Sequence, residues 1–396
     1  MSSTNRPSHL FGSFERIDES PARHTESTYD FLNRVCSPWW AKVRDEIDQW
    51  FVGFPTKHQA DLSARFRSPK RDQHWPAWWE LYLFRLFTCL GYSIEVHPVL
   101  QSSSARPDFY IRGESSGFYV EALTVFSGIV EENRDPTREA CVLDAINEVK
   151  STAFSASIEF RRVGQQTPRL TKIVARVREW LDSLDPDAVS AELSDGIDPP
   201  ALTLSPKDWL IVLEAFPIDS KFRNESPGRL IGVGPPSSGP VDDVVRLRAA
   251  LLRKCKYYPA LEEPLILAAL SMSTFGDIKA FEQALLGSEA IQYTPGATGS
   301  RGWVRLRDSA WMTDRGPTGT NVSAALTASH LAPWQVTTKL PRLWLNPWAD
   351  RPLEEPLPFP QALPEKNGAV RYLDSVGEAA DIFALPSDWP GAEGSP

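Results

Sequence analysis

Residues 75–90 read WPAWWELYLFRLFTCL, and YSIEVHPVL (92–100), RPDFYIRG (106–113) and GFYVEALTVF (117–126) follow. The first stretch carries apolar side chains on every side, as a helix does when protein covers most of its surface. Gly91 supplies its stop. The next three runs alternate with period two and predict strands. The short connector from Gly113 to Gly117 joins the last two as a hairpin. A buried helix followed by three neighbouring strands predicts one mixed sheet with the helix packed on it.

Working outward, residues 28–53 show a helical pattern broken at Ser37-Pro38. Trp39, Val43, Ile47 and Trp50 form one stripe, with Ser37 as N-cap and Pro38 at the first helical position. HQADLSARFRS (58–68) reads as a short helix. Downstream, helices are predicted over 137–152, 168–184, 241–258 and 277–286. ASIEFRRV (156–163), DWLIVLEAF (208–216), GRLIGVG (228–234) and PLILAAL (264–270) read as strands. The last three are continuous apolar runs of central-strand type. Residues 185–206, rich in Asp and Pro, read as a loop. From about 290 the chain holds six of its 14 Trp and many Pro, and predicts a wrapped extension with few regular elements. The expected division is 1–27 flexible, 28–70 helical, 71–290 the main α/β domain with helices flanking a mixed sheet, and 291–396 an irregular extension.

Length and composition bound the function. The 396 residues carry 42 Lys and Arg against 51 Asp and Glu, a net charge of −9. No global basic coat exists for nucleic acid or membrane, so such a partner would be held by local basic faces. The four Cys are isolated, which argues against a disulfide framework and excludes a zinc ribbon. No apolar run approaches the ~20 residues that span a bilayer, and the N-terminus has no apolar core of a secretory signal. A cytoplasmic protein with no membrane partner is the expectation; oligomeric state is left open.

Three acids stand out. Glu80 shares a helix face with Leu83, Phe84 and Phe87. Asp108 opens the second strand after Pro107. Glu121 shares a strand face with Tyr119, Leu123 and Val125. Lone carboxylates on apolar faces are costly unless paired or metal-bound. Acids in this order, on WWELYLFRLF, RPDFYIRG and FYVEAL, resemble the PD-(D/E)XK nuclease-like superfamily, with its restriction-endonuclease-like fold. The resemblance covers about 75–270. It implies that Glu80, Asp108 and Glu121 ring a Mg²⁺ (or Mn²⁺), whose bound water attacks a DNA phosphodiester. Mg²⁺ takes hard oxygen ligands and keeps several waters, which suits such a set.

One departure is plain. The family's Lys stands two residues after the strand Glu, and here that position is Leu123. In some members the Lys comes from another element; Lys150, Lys254 and Lys256 are the candidates. Lys254 is favoured, because at 100° per residue it flanks the apolar stripe of its helix and can reach along the sheet. Two stretches concentrate basic charge, and from them Arg161, Arg162, Arg169, Lys172, Arg246, Arg253 and Lys256 are candidate backbone-phosphate contacts. A solvated helix face explains either stretch equally well. His74 and His97 lie near the acids in sequence. Two functions compete: a metal-dependent DNA nuclease in genome defence or DNA processing, and a non-catalytic protein of the same fold that binds nucleic acid or a protein partner within an assembly. An unrelated α/β assembly protein is a third. The missing Lys favours the second; three retained acids favour the first.

Overall fold

The computed structural model describes residues 9–100, 105–113, 116–126, 136–223, 228–231, 243–259, 261–273, 276–293, 301–366 and 369–392. Four helices come first: α1 (Thr28–Arg34), α2 (Pro38–Gly53), α3 (Thr56–Phe66) and α4 (Arg71–Cys89). The Ser37 hydroxyl accepts the Trp39 N–H, so the Ser-Pro break starts α2 as a capped helix. β1 (Ser93–Val96), β2 (Phe109–Arg112) and β3 (Gly117–Val125) follow α4.

The next stretch holds α5 (Pro136–Ile146), β4 (Phe154–Arg162), α6 (Leu170–Asp182), α7 (Pro186–Ser194), β5 (Ala201–Leu204) and β6 (Leu210–Pro217). The expected loop at 185–206 therefore contains a helix and a strand. Asp185 caps α7 with Pro186 at its first position, so the Asp-Pro chemistry that reads as a loop marks a helix start instead. Of the expected strand GRLIGVG, Ile231 makes one isolated bridge to Ala156, and residues 232–234 lie outside the described residues.

The chain continues with α8 (Asp243–Tyr257), β7 (Leu265–Ser271), α9 (Ile278–Leu286), β8 (Glu289–Tyr293), β9 (Arg301–Arg305), β10 (Met312–Thr313), β11 (Gly316–Pro317), β12 (Ala324–Ser329), β13 (Arg342–Leu345), β14 (Gln361–Pro364), β15 (Val370–Leu373) and α10 (Ala379–Phe383). The segment after 290 is thus not irregular. Four of its strands extend the main sheet. β12 (AALTAS) is buried along nearly its whole length, so it shows no inside–outside alternation, and β13 to β15 have only four residues each.

The result is a mixed α/β protein. Its main sheet has eight strands in the order β1-β2-β3-β7-β12-β13-β14-β15. β1, β2 and β3 pair antiparallel, while β3, β7 and β12 run parallel at the centre. The fully buried LILAALS of β7 suits a strand covered on both faces. The chain divides into two compact units. One is formed by the described parts of 1–20, 28–128 and 242–396, and the other by those of 21–27 and 129–241. The range 71–290 falls into both.

In the first unit, α8 and α9 cover one face of the sheet. Leu247, Leu251, Cys255, Phe281 and Leu285 share a core with Leu123, Val125, Leu265, Leu267 and Ala269. α4 packs on the other face, where the Phe87 and Phe118 rings meet at 5.7 Å and Trp79 Nε1 donates to the Ala268 carbonyl at 2.9 Å. The second unit has its own core, built on the antiparallel sheet β4-β6-β5 and the buried stripe Ile173, Val177 and Leu181 of α6.

Candidate functional site

Strand alternation fixes where Glu121 goes. It lies on the face of Leu123 and Val125, under α8, and only 4% of it is exposed. A carboxylate there needs partners. α8 buries Leu247, Leu251 and Cys255, which leaves Lys254 beside that stripe and Tyr258 one residue past the helix end. Four residues apart, the two side chains point the same way. Lys254 Nζ donates to Glu121 Oε1, and the Tyr258 hydroxyl donates to Oε2. Burial, and then the Glu121 charge, push the Tyr258 phenol far above its ordinary pKa, so it stays protonated as a donor. Asn321 holds the helix end from behind: its Nδ2 donates to the Cys255 and Tyr258 carbonyls at 2.9 Å each. These carbonyls have no partner within the helix, so the amide serves as a C-terminal cap.

Asp108 stands one residue before β2. The antiparallel register sets Phe109 opposite Val120, which carries Asp108 alongside Glu121 and Ala122. Its Oδ2 accepts the Ala122 N–H at 2.7 Å. Burial, followed by the charges of Glu121 and Glu80, raises the Asp108 pKa well above the usual carboxylate range; the Ala122 N–H and Lys254 oppose that rise. His97 Nδ1 lies 4.0 Å from Asp108 Oδ1, and the His97 N–H donates to the Asp108 carbonyl at 2.8 Å. His97 adopts a φ of +51°, a left-handed conformation uncommon for a side chain of its size. The ring of His58, from α3, meets it edge-on at 5.0 Å.

Glu80 projects from α4, the helix on the opposite face. Both of its oxygens are taken by Arg65 of α3, at 2.7 Å each, and Arg65 also bonds Asp61 at 2.9 Å. This two-pronged pairing is the strongest geometry open to a carboxylate and a guanidinium.

The fold thus brings Asp108, Glu121 and Lys254 together. It sets Glu80 near enough for its charge to act on Asp108, yet binds that carboxylate to Arg65. Among the described residues, no group of three or more His, Cys, Asp and Glu side chains is arranged to hold a metal ion. Asp108 and Glu121 are two hard-oxygen donors of the type Mg²⁺ takes. Of the acids around Asp108, Glu121 is offset by Lys254 and Glu80 by Arg65. Leu123 lies in the apolar core. Lys150 belongs to the second unit, after α5. Arg161, Arg162, Arg169 and Lys172 are exposed on that unit, with Arg161 tied to Glu159. Arg246, Arg253 and Lys256 are exposed on α8. His74 is buried against Phe66 and Trp75, as a packing residue.

Sequence reasoning missed Tyr258, Asn321 and Arg65. The spacing of Tyr258 from Lys254 was a usable signal. Arg65 as partner of Glu80, and Asn321 as cap of α8, had none, because those partners are distant in sequence. No family model, curated protein or solved structure matches this chain.

Proposed function

We propose that the first unit is a PD-(D/E)XK-like, divalent-metal-dependent nuclease that cleaves DNA phosphodiester bonds, in genome defence or DNA processing. The observation that carries this reading is the convergence of Lys254 and Tyr258 on Glu121, beside Asp108. An ammonium group from α8 takes the place that Leu123 leaves without a cation. Asp108 and Glu121 would hold Mg²⁺ or Mn²⁺, with Glu121 giving up a hydrogen bond from Lys254 or Tyr258 to do so. When bound, such an ion polarises a phosphoryl oxygen and lowers the pKa of its water.

The chain's own groups do the rest. Lys254 supplies positive charge where negative charge develops on the phosphate. Tyr258 fixes the second oxygen of Glu121, and the Ala122 N–H fixes Asp108. Glu80 is neutralised by Arg65 and ties α4 to α3 behind the site. Exposed Arg246, Arg253 and Lys256 on α8, and Arg161, Arg162, Arg169 and Lys172 on the second unit, suit backbone phosphates.

The Arg65–Glu80 pair favours a second reading, because it spends the helix acid on structure: a non-catalytic protein of this fold that binds nucleic acid or a protein partner. Cleavage assays with Mg²⁺ or Mn²⁺ on plasmid and single-stranded DNA separate the two. The nuclease reading expects cleavage, reduced at least ~100-fold by Lys254→Ala and by Asp108→Ala with fold and DNA binding kept. An unmodified protein inert on every metal and substrate supports the binding protein. Full activity in Lys254→Ala removes the lysine from the mechanism.

A further inference from the structure

The second unit carries a cleft of about 280 Å³ between the turn at residues 149–154 and the end of α6. Its volume is below the ~300–1,000 Å³ of a typical small-molecule pocket, so it suits a chemical group rather than a whole cofactor. Val149, Phe154 and Leu181 are buried residues in its lining. Lys150 and Arg178 are the cations that line it, and Asp182 is the one acid. Among the described residues neither cation pairs with a carboxylate, whereas Arg176 on the same helix is spent on Glu179 at 3.1 Å. The surface of the cleft is mainly polar, and both cations are open to solvent at its rim.

Two hydroxyls complete the lining. Ser151 Oγ accepts the N–H groups of Ala153 and Phe154 at 3.3 and 3.0 Å. Its lone pairs are engaged, so its remaining capacity is as a donor. Thr152 adds a second hydroxyl. Two cations and one acid leave the lining with a net charge of about +1. A phosphodiester carries one negative charge, while free phosphate near neutral pH is a mixture of mono- and dianion.

We infer that this cleft is a subsite for one backbone phosphodiester of a nucleic acid, held by Lys150, Arg178 and the Ser151 and Thr152 hydroxyls. The inference shares the nucleic-acid partner of the function proposed above, but does not depend on cleavage. The test measures binding of the full chain to a fluorescent single-stranded oligonucleotide by anisotropy, in EDTA so that no cleavage intervenes. The double variant Lys150→Gln, Arg178→Gln is expected to lose at least tenfold in affinity, with a shallower salt dependence by about one to two counterions. Lys221→Gln, which removes an exposed cation paired with Asp219, should bind as the unmodified chain does. Inorganic phosphate should compete no better than chloride at equal ionic strength.

Unchanged oligonucleotide affinity in the double variant overturns the inference. So does an equal loss in Lys221→Gln, which would mean general charge rather than a subsite. Selective competition by inorganic phosphate overturns the nucleic-acid assignment in favour of a free-phosphate site. Unchanged thermal unfolding of the variants excludes misfolding as the cause. Loss of binding in the double variant beside a catalytically inert unmodified chain would leave this inference standing and the nuclease reading fallen.

Discussion

The two faces of the sheet at its β2–β3 side treat an acid in opposite ways. On the α4 face, Glu80 is locked by Arg65, fork against fork, with 11% of its side chain exposed. On the α8 face, Glu121 is held by one ammonium and one phenol, both delivered by a single helix end. The first arrangement neutralises a carboxylate and ties two helices. The second keeps a carboxylate beside a cation and a neutral donor, next to an Asp108 whose pKa is raised by burial and then by neighbouring acids. Identical chemistry on two helical or strand positions therefore reads as a structural rivet in one place and as a candidate site in the other. The partner, not the acid, makes the distinction.

Breaking the rivet should have the largest effect on stability. Arg65→Met leaves Glu80 charged, largely enclosed and unpaired, at a cost of about 3 kcal/mol. Urea unfolding reads the loss, and adding Glu80→Leu should restore most of it. Recovery would sharpen the contrast by showing that the pair as a whole is replaceable. A smaller loss follows on the other face. Asn321→Ala removes both bonds to the end of α8, about 2 kcal/mol together, and loosens the delivery of Lys254 and Tyr258 to Glu121. If the unfolding midpoint does not move, the cap does not set that helix end.

The smallest effect has the opposite sign. Asp108 has a raised pKa, so the folded state binds its proton more tightly than the unfolded chain does. The stability this contributes is fully present below the ordinary carboxylate pKa of about 3.9, and is lost as pH rises through the raised folded value. At pH 7 this buried acid is a burden, and Asp108→Asn should raise stability there while keeping an acceptor for the Ala122 N–H. The gain should vanish as pH falls below the ordinary range. A variant no more stable than its parent at pH 7 would show that Asp108 is better compensated than its three-acid setting implies.

The sequence by itself determined the pieces that short-range periodicity encodes. The Ser37-Pro38 start of α2, the all-apolar β7, the alternation that puts Glu121 with Leu123 and Val125, and the stripe that leaves Lys254 at the edge of α8 are each set within a few residues. Leu123 in place of a cation was equally plain. Tertiary structure alone decided which side chains meet. Lys254 and Glu121 are 133 residues apart, and Arg65 and Glu80 are 15 apart on two different helices. Only the order of strands and the face each helix covers can bring such residues into contact. The same holds for β12, since a strand enclosed on both faces has no alternation to display until its neighbours are in place.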